Sequence, residues 1–182
     1  TVETLDPARQ ITNKSSGKMG VFLAQAAKFR GAEVDLIHAP LQLEQSLIEG
    51  LNTFPITTAA EMEDNLMNLN KTADFIVMAA AISDFRIKAS PSIQKIDKKN
   101  FLTTLSQSLE LVPDLLSQLT AQRDPNQFIL GFAALTGEEN EIKKAGELKL
   151  VTKNCDLLLA NPIDRSEQGF GSDFNSGFLL GP

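Results

Sequence analysis

Three short apolar runs constrain this chain more than any other feature. They are Asp74–Ala81 (DFIVMAAA), Phe128–Leu135 (FILGFAAL) and Asp156–Asn161 (DLLLAN). Each is too brief for an ordinary helix, and each ends in a polar break. A near-continuous apolar run of about 4–8 residues suits a strand buried on both faces, the kind from which parallel sheets are built. Asp74–Ala81 therefore reads as a central parallel strand. Amphipathic stretches separate the runs. Gly17–Arg30 carries Met19, Phe22, Leu23, Ala26 and Ala27 at helical spacing, with Gly31 placed to end it. Thr58–Leu69 has a Thr cap, with Glu61 three residues on and Met62, Leu66 and Leu69 on one face. Pro113–Gln122 reads as a short helix with proline in its first turn, and Gly137–Leu150 as a charged helix. Glu33–Ala39 reads as a further strand stopped by Pro40, and Ser176–Leu180 as the start of another. The alternation predicts an α/β fold, an open Rossmann-like, mostly parallel sheet with helices on both faces. A length of 182 residues suits one domain, 1–182, with a sizeable core.

Composition removes several classes of partner. The net charge of −6 argues against generic nucleic-acid binding. The longest apolar run, Phe75–Ile82, falls far short of the roughly 20 residues of a membrane span, so no membrane partner is expected. A single cysteine, Cys155, makes no internal disulfide and fits a reducing cytoplasm. With His38 the only histidine, metal sites built from Cys and His clusters are excluded. His38, at a strand end before Pro40, reads as a structural or surface residue. Cys155 lacks the base and orienter that thiol catalysis needs.

In open α/β sheets ligands sit beyond the carboxyl ends of the strands. That rule selects Ala80–Arg86, Phe132–Gly137 and Asn161–Ile163. Ala79, Ala80 and Ala81 are small enough to let a planar ligand approach the backbone, with Asp84 and Arg86 at its edge. Phe132 is either core or a wall for a nucleobase, where Gly131 leaves room. Ile11–Gly20 (ITNKSSGKMG) runs from an extended segment into a polar loop that opens a helix. Its serines and N–H groups suit either a plain cap or a phosphate. Residues 86–107 carry Lys88, Lys95, Lys98 and Lys99 with weak periodicity, and read as a mobile basic flap. Gln168–Asn175 reads as a polar loop. Lys149 and Lys153, four apart, share a helix face if the helix extends that far.

Taken in order, these segments resemble the phosphopantothenoylcysteine synthetase domain of the bacterial coenzyme A pathway, often fused behind a flavin-dependent decarboxylase. Leu5–Arg9 (LDPAR) is similar to the family's (I/L)DPVR, and Ile11–Gly20 is nearly identical to its ITNxSSGKMG. Ala79–Arg86 (AAAISDFR), Gln94–Lys98 (QKIDK), Leu109–Leu115 (LELVPDL), Gly131–Thr136 (GFAALT) and Lys153–Asn161 (KNCDLLLAN) follow in family order.

The resemblance implies a ligase of coenzyme A biosynthesis. It would activate the carboxylate of 4′-phosphopantothenate with CTP to an acyl cytidylate and pyrophosphate, then condense it with cysteine and release CMP. By position, Asn13 and Lys95 would be catalytic. Ala79, Ala80, Asp84, Lys95, Pro113, Asp114, Leu115, Leu116, Phe132, Lys149 and Lys153 would bind nucleotide. Asn13, Ser15 and Ala81 would seat the phosphopantothenate. Mg²⁺ would accompany the CTP, held by phosphates and water with no dedicated ligand cluster. A homodimer is implied. The chain departs from the family in four places: the Lys-Asn pair usual between Val112 and Pro113 is missing, Asp97 replaces a lysine, Leu135 replaces an acid or amide, and the usual flanking segments beyond Thr1 and Pro182 are absent, as in a domain trimmed at both ends. The alternative reading is a non-catalytic or degenerate Rossmann-like nucleotide-binding module. A dinucleotide-dependent oxidoreductase is rejected, because the chain has no GxGxxG and no tyrosine.

Overall fold

The computed structural model describes residues 1–88, 94–165, 172 and 174–182. In chain order the elements are β1 (Val2–Asp6), β2 (Arg9–Thr12), α1 (Lys18–Phe29), β3 (Asp35–His38), β4 (Asn52–Pro55), α2 (Ala59–Leu69), β5 (Phe75–Met78), β6 (Phe85–Ile87), α3 (Phe101–Ser108), β7 (Leu109–Leu111), α4 (Leu115–Gln122), β8 (Phe128–Leu135), α5 (Glu139–Lys153), β9 (Leu157–Pro162) and β10 (Phe178–Leu180). The Rossmann-like α/β architecture expected from the apolar runs is present.

The main sheet has the order β10-β9-β8-β5. β5, β8 and β9 run parallel, and β10 is antiparallel to β9. Register places Ile76 beside Ile129 and Gly131 beside Leu158. With Met78, Ala133, Ala160 and Leu180 they form one continuous apolar face, because alternate residues of a strand share a side. Helices α2, α4 and α5 cover that face. Met62, Leu66, Leu115 and Leu119 pack on the β5–β8 half, and Ile142 and Leu150 on the β9–β10 half. Ile129 and Leu119 are fully buried at the centre. The capping box expected at Thr58 and Glu61 forms, each side chain bonding the other's backbone N–H. Such a cap contributes about 1 kcal/mol.

Several elements differ from expectation. β5 is an edge of its sheet among the described residues rather than a central strand, and Phe75 and Val77 are 55% and 38% exposed. The outward half of that run packs sideways, with the Phe75 and Phe128 rings stacked at 4.8 Å. Pro113 stands before the cap of α4 rather than in its first turn, and Asp114 is the N-cap. α5 runs on to Lys153, three residues past the expected end. The hairpin β1–β2, the parallel pair β3–β4 and the antiparallel pair β6–β7 were not anticipated. The last of these closes the base of the 86–107 segment, which contains the helix α3 rather than loop alone. Residues 89–93 of that segment and most of the Gln168–Asn175 loop lie outside the described residues.

Candidate active site

The ITNKSSGKMG stretch leaves β2 at Thr12 and enters α1 at Lys18. Gly17 turns the chain at φ +82°, a conformation that favours glycine, and a Cβ there would meet the end of the Leu41 side chain. No side chain caps α1. Instead the Ser15 and Ser16 hydroxyls accept weakly, at 3.4 Å, from the N–H groups of Gly17 and Lys18. A Cβ added at Gly20, in the first turn of α1, would lie 4.0 Å from the Ala79 Cβ, so the loop and the end of β5 are neighbours.

Asn13 completes that junction. Its Nδ2 donates to the carbonyls of Ala81 and Ile82, each at 3.1 Å. A side-chain amide carries two N–H donors, and both are used here. The remaining group, Oδ1, is an acceptor on an exposed residue. Thus Asn13 fixes the backbone that leaves β5 and offers an acceptor beside it. An oxyanion would find a donor on Asn13 only if it released one of the two carbonyls. Ser83 secures the same segment, donating through its hydroxyl to Phe85 O at 2.7 Å.

A second group forms where β6–β7 meets α4. The Asp84 carbonyl accepts from Val112 N at 2.9 Å, which joins the exposed Asp84 to the turn at Pro113. Asp114 caps α4 by accepting from Ser117 N at 2.9 Å, and its other oxygen is ion-paired with Lys153. The structure therefore brings Asp84, Pro113, Asp114 and Lys153 together. Lys149, one turn earlier on α5, is exposed. Leu115 and Leu116 contribute differently than expected: Leu115 is buried in the core and Leu116 packs between both apolar clusters. Leu115 leaves only its backbone for a ligand.

Phe132 is half-buried on the side of β8 opposite Gly131. Gly131 does not make room for a base. A Cβ there would meet the Cys155 Sγ at 3.0 Å, Leu116 at 3.1 Å and Leu158 at 3.2 Å. Its smallness serves the packing of α4 on the sheet. Burial, reinforced by the charge of Asp156, raises the Cys155 thiol pKa, with Arg123 and Lys153 opposing, and a thiol kept protonated is a poor nucleophile. A cavity of about 390 Å³ at the ends of β3 and β4, lined by His38, Pro55 and Glu61 among others, contains none of the residues selected for the site. Among the described residues, no three His, Cys, Asp or Glu side chains gather as a metal centre, and no helix is long and apolar enough to cross a membrane.

Two contributors were missed. Asp6 is almost wholly buried and accepts from Ile96 N at 3.2 Å, beside Lys95. Arg9 donates to Ile96 O at 3.2 Å. The sequence signal was the turn Asp6-Pro7-Ala8-Arg9, whose aspartate binds the N–H two residues on at 2.8 Å. Nothing local points to a partner 90 residues away.

The family model for the DNA/pantothenate metabolism flavoprotein C-terminal domain matches residues 1–182. The chain belongs to that family. A relative in Bacillus subtilis, the coenzyme A biosynthesis bifunctional protein CoaBC, is 38% identical over 176 residues, which are 96% of this chain and 41% of the relative. The family segment described here thus spans about two-fifths of that protein's length. The crystal structure of the C-terminal domain of a CoaBC protein superposes with a TM-score of 0.70 at 31% identity, covering 88% of this chain and 72% of that one. A Cab2 variant solved in complex with phosphopantothenate-cysteine shares the flavoprotein C-terminal domain fold, with a TM-score of 0.72 over 100% of this chain and 77% of its own, at 18% identity.

Proposed function

We propose that this chain is the phosphopantothenate–cysteine ligase domain of a bifunctional coenzyme A biosynthesis protein. Likeness to CoaBC proteins over nearly the whole chain supports the assignment. The observation that carries it to chemistry is Asn13 seated on the Ala81 and Ile82 carbonyls, beside a serine-rich helix entry and close to small residues at a strand end.

In this reading the 4′-phosphopantothenate carboxylate attacks the α-phosphorus of CTP and pyrophosphate leaves. The cysteine amine then attacks the acyl carbon, CMP leaves, and the amine loses a proton. Positioning and electrostatics carry such transfers. Lys95, Lys149 and Lys153 supply positive charge for the phosphates. Lys153 begins paired with Asp114, so a phosphate takes over a cation already held in place rather than one ordered from solvent. Asp84 and the Pro113–Leu116 backbone border the nucleotide, with Ala79, Ala80 and Phe132 near the base. Ser15 and Ala81 seat the phosphopantothenate. Asn13 holds the Ala81–Ile82 backbone and presents Oδ1 to the amine of the incoming cysteine. Mg²⁺ neutralises triphosphate charge when bound. That ion would be carried by the nucleotide's own oxygens and by water, with the exposed Asp84 carboxylate available at the nucleotide's edge. A neighbouring flavin-dependent decarboxylase, a homodimeric assembly and a cytoplasmic location belong to the same proposal.

The test is pyrophosphate release by the full-length protein with CTP, Mg²⁺ and 4′-phosphopantothenate, with ATP in parallel and cysteine added second. We expect CTP-dependent pyrophosphate first and CMP after cysteine. No release with either nucleotide, from folded protein, would turn the reading to a nucleotide-binding module without this activity. Asn13→Asp sets a carboxylate against two carbonyls. It should still form acyl cytidylate but slow its capture by cysteine about 100-fold or more. Unaltered amide formation in that variant would remove Asn13 from the mechanism.

A further inference from the structure

Two hydrogen bonds between the β1–β2 hairpin and the Lys95-bearing segment converge on one residue, Ile96. The Asp6 carboxylate accepts from Ala8 N at 2.8 Å and from Ile96 N at 3.2 Å. Arg9 closes the other side, donating from Nη2 to Ile96 O at 3.2 Å. Both backbone polar groups of Ile96, its N–H and its C=O, are therefore gripped by the two ends of one turn. Asp6 and Arg9 are themselves paired at 3.3 Å. The Arg9 guanidinium also lies 4.3 Å from the centre of the Phe101 ring, at the first residue of α3, where a cation over an aromatic face is favourable. Residues 96 and 101 are thus held by one arginine, with the exposed Lys95 immediately before them.

The Asp6 side chain has no solvent exposure. A buried charge is retained only where donors compensate it. Burial works to raise its pKa, but the Ala8 and Ile96 N–H groups and the charges of Arg9 and Lys95 outweigh it and hold the carboxyl below the usual carboxylate range. An aspartate so placed does more than close a turn, since Ala8 alone satisfies the turn.

We propose that Asp6 is a positioning residue for Lys95: through the Ile96 backbone, and with Arg9 as its clasp, it holds the 94–101 segment so that the Lys95 ammonium stands at a fixed place for activation of the carboxylate. The chemical consequence rests on the ligase reading; the clasp itself does not. Asp6 touches no substrate in this scheme and works only through Lys95.

The test uses the full-length protein with Asp6→Asn, Lys95→Gln and the double variant. Hydrogen exchange over residues 94–101 and single-turnover pyrophosphate release with CTP and 4′-phosphopantothenate are measured, together with CTP binding. Asparagine keeps the shape and loses the charge that holds Arg9. Losing a charged hydrogen-bond acceptor should speed exchange at Ile96 about tenfold and slow pyrophosphate release about tenfold, while CTP affinity moves less than about twofold. In the Lys95→Gln background, Asp6→Asn should add less than about a further twofold to the loss, because two residues acting through one ammonium are not additive. A purely structural aspartate would give full additivity and an equal loss of CTP binding, and either result overturns the proposal. Unchanged exchange at Ile96 overturns it whichever nucleotide the protein uses. If the unaltered protein releases no pyrophosphate, the ligase reading fails by itself, and the exchange data still decide the clasp. Should Asp6→Asn not fold, Phe101→Ala removes the ring beneath Arg9 without touching the hairpin. It should move exchange and pyrophosphate release in the same direction by smaller factors, and no movement in either rejects the clasp.

Discussion

The helix-covered face of the main sheet and the region around the β1–β2 hairpin are assembled by opposite means. The first is apolar and continuous: Ile76, Ile129, Leu158, Ala160 and Leu180 share a surface with Leu66, Leu119, Ile142 and Leu150 from three helices. The second is held by single polar contacts between distant residues. Glu3, buried, accepts from Ala59 N at 2.8 Å at the start of α2. Asp6 and Arg9 grip Ile96, and Arg86 bridges Glu110 and Glu63. Area-proportional burial is redundant, and losing one side chain is felt across the whole layer. A polar clasp is specific, and losing it frees one segment. The candidate active site lies where the two regimes meet, with Ala79 and Ala81 at the end of the packed sheet and Asn13 and Lys95 on the clasped side.

Ile129→Ala should expose the difference most strongly. The side chain is fully buried in the cluster formed by α2, α4, β5 and β8. Truncating such a residue costs about 2–5 kcal/mol. Urea denaturation of this segment, followed by exchange of β8 amides, should show an earlier midpoint and faster exchange throughout β5, β8 and β9 together. Loosening confined to β8 would mean that the sheet is not one cooperative unit.

Gly146→Ala probes the same layer by overfilling it. A Cβ on this α5 residue would lie 2.6 Å from Leu180 Cδ1 and 2.7 Å from Ala160 Cβ. Intrinsic helix propensity favours alanine by about 1 kcal/mol. Overpacking costs typically about 1–3 kcal/mol. The clash should win, giving a net loss of about 1 kcal/mol by the same denaturation measurement. A net gain would show that α5 shifts outward freely.

The contrast also explains what could be read from the sequence. The runs DFIVMAAA, FILGFAAL and DLLLAN announced β5, β8 and β9 because periodicity and burial are local properties of a segment. α1, α2, α4 and α5 were legible for the same reason, to within a few residues. β4, β6 and β7 are three or four residues long, too short to carry a period, and exist through their partners. The same limit governs the site. Asn13, Ser15 and Ala81 stood out through their motifs, but nothing local shows that the Asn13 amide turns both its donors to the strand end. Asp6 carries only a local turn signal in the sequence, because its second partner is remote. Leu115 and Leu116 belong to the turn that the resemblance assigns to the nucleotide, although their side chains pack into the core. Gly131 likewise looked like space for a ligand and proved to be space for Cys155 and Leu158.

Arg86→Gln tests the clasped side with the smallest expected change in global stability. Arg86 donates to Glu110 at 2.8 Å and to Glu63 at 3.3 Å, joining β6, β7 and α2. The hydrogen bond to Glu110 is the largest influence keeping the guanidinium charged, ahead of a smaller desolvation cost and the charges of Glu110 and Glu63. All three side chains are about a quarter to two-fifths exposed, at 27%, 38% and 26% for Arg86, Glu110 and Glu63. Water and salt therefore screen the network, and its loss should cost at most about 1 kcal/mol. The local effect should be larger than the global one: exchange at Ile87 and Leu109 should rise while β8 amides hold their protection. High salt should reproduce part of that change in the unaltered protein and add little to the variant. If β8 loosens as much as β6, the two regimes are one, and the polar contacts around the hairpin support the sheet rather than the segment that carries Lys95.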